Sequence, residues 1–96
     1  RWVRRNAPEW AASGVRLNAI APGLIKTPLT ASATSDARFA EAMKAFEDSI
    51  PVGRAGQPAD IAAMACFLLS PAAGFVCGSV LFVDGGHDAM FRPDQF

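Results

Sequence analysis

The sequence predicts an α/β fold built on a parallel sheet, and three observations carry that expectation. Residues 15–21 form a mostly apolar run that passes directly into a loop bracketed by Pro22 and Pro28. Val80-Leu81-Phe82-Val83 is a second apolar run, closed by Asp84-Gly85-Gly86. Between the two, apolar residues recur at helical rather than alternating spacing, as a crossover between parallel strands requires. The chain has 96 residues, enough for one small domain. At that length only roughly 60–65% of the unfolded surface is buried on folding. A hydrophobic content of 51%, with two Trp and seven Phe, is rich for such a size and suits a segment that packs against more protein.

Taken in order, residues 1–13 read as a helix with Val3, Ala7 and Trp10 on one face and Ala11 beside them. Pro8 lacks an amide hydrogen and crowds the preceding turn, so the helix either kinks there or becomes regular only near residue 8. Gly14 is a natural stop because it adopts the left-handed conformation without penalty. Residues 15–21 follow as a strand, interrupted by Arg16 and Asn18 and apolar enough to be covered on both faces. Residues 22–35 are loop. A second helix is expected over 36–48, with Phe39, Met43 and Phe46 on one side, serving either as core anchors or as the wall of an apolar pocket. Residues 49–57 form a turn-rich linker. Pro58 suits a first helical position, Asp60 complements the first turn, and Ile61, Met64, Ala65 and Leu68 supply a buried stripe. Ser70, Pro71 and Gly74 end that helix, and Gly78 precedes the last strand. Two parallel strands alone leave edges open, so the pattern calls for neighbouring strands beyond residues 15–21.

Charge and cysteine usage exclude several classes. Nine basic residues balance nine acidic ones, and the only local excess is Arg1, Arg4 and Arg5, which suits a solvated face or an interface and is too small for a nucleic-acid footprint. Cys66 and Cys77 make no metal-ligand spacing with His87, the sole histidine, and their apolar surroundings suggest reduced core thiols in a cytoplasmic protein. The opening residues are charged, with no apolar core of a signal peptide, and no apolar run approaches the ~20 residues needed to cross a bilayer.

The candidate ligand contacts lie in the loop after the first strand, where open α/β sheets receive ligands. Pro22 and Pro28 restrict it, and Gly23 permits close backbone approach to a flat ligand. The amides of Leu24 and Ile25 and the hydroxyl of Thr27 can face the same space, a set suited to a neutral amide head group, although Thr27 alone is equally an ordinary turn residue.

Several strings in order resemble the short-chain dehydrogenase/reductase family: Val15-Arg16-Leu17-Asn18 leading to Pro22-Gly23 and Thr27; Pro51-Val52-Gly53-Arg54-Ala55-Gly56-Gln57-Pro58-Ala59-Asp60-Ile61-Ala62; Phe67-Leu68-Leu69-Ser70; and Gly78 with Val83-Asp84-Gly85-Gly86. The resemblance covers essentially all 96 residues, and residues 17–23 and the tail from Asp88 are most similar to its bacterial 3α-hydroxysteroid dehydrogenase/carbonyl reductase branch. It implies that residues 1–96 are the C-terminal segment of a single Rossmann-type, doubly wound parallel sheet: the last two strands, the crossover helices, and a cofactor and substrate loop with its helix over 22–50. It implies cofactor contacts from Pro22, Gly23, Leu24, Ile25 and Thr27, with the Ile25 backbone meeting the nicotinamide carboxamide. It implies a substrate wall from Leu29, Met43 and Phe46, on a segment whose small residues at 31–35 let it move.

The implied activity is oxidoreduction between a secondary alcohol and a ketone or other carbonyl, on a hydroxysteroid or aromatic, apolar substrate. The cofactor is NAD in that branch. NADP stays open, because the selecting residues follow the second strand of the part not represented here. The family's Tyr-x-x-x-Lys would precede Arg1; the chain contains no tyrosine, and no catalytic residue is assigned to it. His87 reads as a turn or surface residue. The implied partners are the remainder of the enzyme and further copies in a homodimer or homotetramer, with no nucleic acid and no membrane. The alternative is a non-catalytic fragment of the same fold serving as an interaction or dimerisation module.

Overall fold

The computed structural model describes residues 1–27 and 37–94. The elements run α1 (Trp2–Ala12), β1 (Ala19–Pro22), α2 (Ala37–Asp48), α3 (Pro58–Leu69), a 3₁₀ turn (Pro71–Ala73), β2 (Val80–Val83) and α4 (His87–Phe91). The two strands pair in parallel, Ala19 opposite Val80 through Pro22 opposite Val83. The fold is therefore α/β with a parallel sheet and an intervening helical crossover.

α1 runs unbroken through Pro8. Its end is a Schellman closure: Gly14, at φ +89°, donates to the Ala11 carbonyl (2.9 Å), and Val15 donates to that of Trp10 (3.0 Å). Ala7 is buried and Val3 half-buried, whereas Trp10 and Ala11 are exposed. Trp10 stacks edge-on against Trp2, 5.8 Å between ring centroids, rather than against the core.

The first strand is shorter than its apolar run suggests. Residues 15–18 stay outside the ladder because two polar side chains in them bond elsewhere. The Arg16 guanidinium donates to the carbonyls of Leu68 (2.9 Å), Ser70 (3.3 Å) and Val76 (3.4 Å), placing a cation at the C-terminus of α3. Asn18 donates to the Val76 carbonyl (3.0 Å) and accepts from the Ser79 amide (3.0 Å). These bonds fix the turn before β2 and with it the strand register.

α3 begins and ends where the sequence indicates. Pro58 is its first residue; Asp60 accepts from the Gln57 amide (2.7 Å) and from both terminal nitrogens of Arg54 (2.8 and 3.1 Å). Leu68 is buried, while Ile61, Met64 and Ala65 are half-buried. Cys66 and Cys77 are exposed free thiols, not core residues: neither the outer face of α3 nor the turn before β2 is covered within this chain. Only Ala7, Ile50, Ala55, Leu68 and Ala73 are buried apolar residues among those described. The radius of gyration is 16.2 Å, against about 13 Å for a compact domain of ~100 residues.

Candidate functional site

Three segments distant in sequence meet at the carboxyl end of the sheet: the loop after β1, residues 50–60, and the turn after β2. The Gly23 amide donates to the Val83 carbonyl (3.1 Å), extending the ladder by one bond. A Cβ on Gly23 would lie 2.7 Å from Asp84 Cβ and 2.8 Å from its Cα, so glycine is the residue that allows the two turns to touch. The Gly56 amide donates to Leu24 (2.8 Å), and the Lys26 amide to Gly56 (2.9 Å), making a parallel bridge centred on Ile25. Consecutive peptide groups of an extended chain point in opposite directions. The amide and carbonyl of Ile25 itself are thus directed away from Gly56.

The turn after β2 is seated on the same linker. Gly85 and Gly86 adopt φ +68° and +93°; a Cβ on Gly85 would strike Ile50 and Val52 at 2.7 Å, and Val52 donates to the Gly85 carbonyl (3.1 Å). The Asp84 carboxylate accepts from the amides of Gly86 (3.0 Å) and Asp88 (2.8 Å), which nucleates α4.

Two clefts flank the loop. The smaller, 270 Å³, lies between Leu24, Ile25, Ile50 and Val52 and is closed on one side by the Arg54–Asp60 pair. That pair is a bidentate fork, and the Arg54 guanidinium, aided by the Gln57 amide, holds the Asp60 carboxyl at a pKa of about 2. The larger, 510 Å³, is an open groove floored by Pro22, Gly23 and Leu24 and walled by Phe46, His87 and Phe91. At its outer rim Arg92 pairs with Asp88 (2.7 Å) and lies over the Phe82 ring, 5.8 Å from the centroid.

The structure therefore brings Pro22, Gly23, Leu24 and Phe46 around one groove. Ile25 lines the neighbouring cleft, and Thr27 is half-buried at the end of the described loop. Met43 is half-buried on α2, one turn before Phe46, and lines neither cleft. Leu29 and residues 31–35 lie outside the described residues. α2 is tied to the loop by the Lys26–Glu47 ion pair (3.1 Å), and the Lys26 ammonium keeps the Glu47 carboxyl below its ordinary range. Sequence reasoning missed the contribution of α4. The signal present was the spacing of His87 with Phe91 and of Asp88 with Arg92, each i, i+4 on one helical face. Among the described residues no three His, Cys, Asp or Glu side chains are grouped to hold a metal ion, and no helix is long and apolar enough to cross a membrane.

Comparison with known proteins addresses the family and the fold. The family model described as enoyl-(acyl carrier protein) reductase matches residues 1–88. The chain is 45% identical over 94 residues to the 3-alpha-hydroxysteroid dehydrogenase/carbonyl reductase of Comamonas testosteroni, covering 98% of this chain and 36% of that protein. The 3-alpha-hydroxysteroid dehydrogenase from Pseudomonas sp. B-0831, solved with NADH, superposes with a TM-score of 0.83 at 46% identity over 99% of this chain and 37% of that one. A protein from Agrobacterium tumefaciens, solved with NADP and assigned as a 2-deoxy-D-gluconate 3-dehydrogenase, gives 0.77 at 45% identity over 92% of this chain and 35% of that one. The chain spans little more than a third of the length of these relatives, and its described strands and helices form part of a Rossmann-type fold. Matched over most of its length by one family model and at this identity across nearly all of it, the chain belongs to the short-chain dehydrogenase/reductase family.

Proposed function

We propose that the chain is the cofactor-loop and substrate-wall portion of an NAD(P)-dependent oxidoreductase that interconverts a secondary alcohol and a carbonyl compound. The observation that carries this reading is the seating of Gly23 on Asp84, which lays Pro22, Gly23 and Leu24 along the floor of a groove at the carboxyl end of β1, with Phe46 as its wall. The nicotinamide supplies hydride transfer when bound. The chain's own part is to hold and orient it. The bridge at Ile25 aims that residue's amide and carbonyl to one side, the pairing a carboxamide needs, and the Thr27 hydroxyl both donates and accepts. NAD is the cofactor favoured, from the likeness to a hydroxysteroid dehydrogenase solved with NADH; NADP is the alternative, from the likeness to a relative solved with NADP.

The groove suits an aromatic or polycyclic apolar substrate, because Phe46, Phe82 and Phe91 all border it. With no tyrosine in the chain, the acid–base group is contributed by another part of the enzyme, and the 96 residues alone are inactive. The exposed apolar faces of α3 and β2 are covered by the remainder of the enzyme and by further copies in a homodimer or homotetramer. A second reading, a non-catalytic module of this fold that binds another subunit, draws on the same exposed faces.

Thr27→Val in the complete enzyme tests the cofactor assignment. The apparent KM for the nicotinamide cofactor rises; an unchanged value removes Thr27 from the site. Incubation of the 96-residue chain with cofactor and a panel of secondary alcohols separates the two functional readings from a self-sufficient catalyst. No nicotinamide reduction is expected, and measurable turnover would overturn the assignment of the acid–base group elsewhere.

A further inference from the structure

The geometry points to His87 as a positioning residue that keys the substrate-side helix α2 to the cofactor loop through ring contacts. The inference rests on reading the groove as the substrate side of the site. α2 has no buried residue of its own, so side-chain contacts with other elements decide where it lies. One is the Lys26–Glu47 ion pair. Another is Phe46 packed edge-on against the His87 imidazole, 4.7 Å between centroids at 61°. His87 meets Phe91 on its other side, 5.0 Å away at 83°. Among the described residues no hydrogen bond holds the imidazole, so the two phenyl rings fix its orientation.

The far end of the relay is equally firm. α4 has five residues, too few to persist through its own hydrogen bonds. It is held by the Asp84 carboxylate on the amides of Gly86 and Asp88 and by the Arg92–Asp88 pair. Asp84 in turn abuts Gly23. A continuous line of contacts thus runs from Gly23 through Asp84 and α4 to His87 and Phe46. Movement of the loop that receives the cofactor is transmitted to the wall facing the substrate, and His87 is the link made by packing alone. A flat aromatic ring serves this purpose, and proton transfer by the imidazole plays no part.

The test compares His87→Ala and His87→Phe in the complete enzyme, measuring substrate KM, cofactor KM and deuterium exchange of the amides in residues 37–48. His87→Ala raises the substrate KM by roughly 3- to 10-fold, the size of one lost edge-to-face contact. It leaves the cofactor KM in place and speeds exchange in α2; His87→Phe restores both. The inference is overturned by an unchanged substrate KM, by equal rises in both KM values, or by a His87→Phe variant no better than His87→Ala. Should the wild-type enzyme show no nicotinamide turnover, the functional reading falls by itself. Exchange then still decides the link: equal rates in wild type and His87→Ala refute it, and acceleration reversed in His87→Phe upholds it.

Discussion

At the carboxyl end of the strands, segments up to sixty residues apart are tied backbone to backbone, and Ile50 and Ala55 are buried beside them. On the flanks of the same sheet, Phe75 is fully exposed and Leu69 is 84% exposed, one residue after Leu68 at 8%. The difference is that the strand-end junction is satisfied by contacts within the chain, through glycines that let backbones touch and side chains that bond to amides. The flanks instead present apolar faces that the chain itself leaves uncovered. The loop after β1 is therefore fixed by contacts with residues 50–56 and 83–85 more than by a buried core.

Gly23→Ala has the largest expected effect on the junction. The added methyl would sit 2.7–2.8 Å from Asp84 Cβ and Cα, neither of which is the free end of a flexible side chain. Overpacking of this kind costs about 1–3 kcal/mol, and chemical denaturation of the enzyme measures it. Gly74→Ala, 3.1 Å from the Pro71 carbonyl on the flank, costs less. Equal losses at the two positions would mean that the junction is no more tightly built than the rest.

How far the sequence disclosed this arrangement follows the same division. Features set by neighbours in sequence were legible: Gly14 closing α1, Pro58 and Asp60 opening α3, and the β2 run ending at Asp84. Features set by distant partners were not. The β1 run is shortened because Arg16 and Asn18 bond to carbonyls between residues 68 and 76, which no local pattern announces. α4 was hidden because Gly85-Gly86 reads as an open turn, and its nucleation depends on the Asp84 carboxylate together with the seating of those glycines on residues 50–52. Cys66 and Cys77 look like core residues by apolar company, but burial depends on what covers a face, and that is not written in the face itself. Of the residues expected at the site, Pro22, Gly23, Leu24 and Phe46 line one groove, whereas the contact of Phe46 with His87 had no local signal.

The Arg54–Asp60 fork gives a smaller, pH-dependent effect. Asp60 closes the junction with its carboxyl lowered from the ordinary 3.8 to about 2, first by the Arg54 guanidinium and then by the Gln57 amide. The ionised form is the one favoured on folding. Its contribution is therefore complete above about pH 4 and disappears as pH falls through 2. Carboxyl titration by NMR should give Asp60 a midpoint near 2, moving up toward the ordinary aspartate value in Arg54→Ala. A midpoint near 4 in the wild type would remove the fork from the junction.

The least energetic prediction bears on the flank. Leu69 contributes almost nothing to the chain's own packing, so Leu69→Asp changes the unfolding free energy of an uncovered chain by no more than about 0.5 kcal/mol, the range of ordinary surface substitutions. Where a second copy covers α3, the same substitution places a carboxylate in an apolar contact and lowers the assembly state, since a buried charge without a partner is disfavoured by several kcal/mol. Sedimentation of wild type and Leu69→Asp separates these cases. A shift to smaller species, with cofactor KM retained by whatever activity remains, would show that the flank is an interface and that the strand-end junction holds its shape without it. An unchanged assembly state would mean that the exposed face of α3 is covered from within the same enzyme or left open, and the contrast between junction and flank would then concern folding alone.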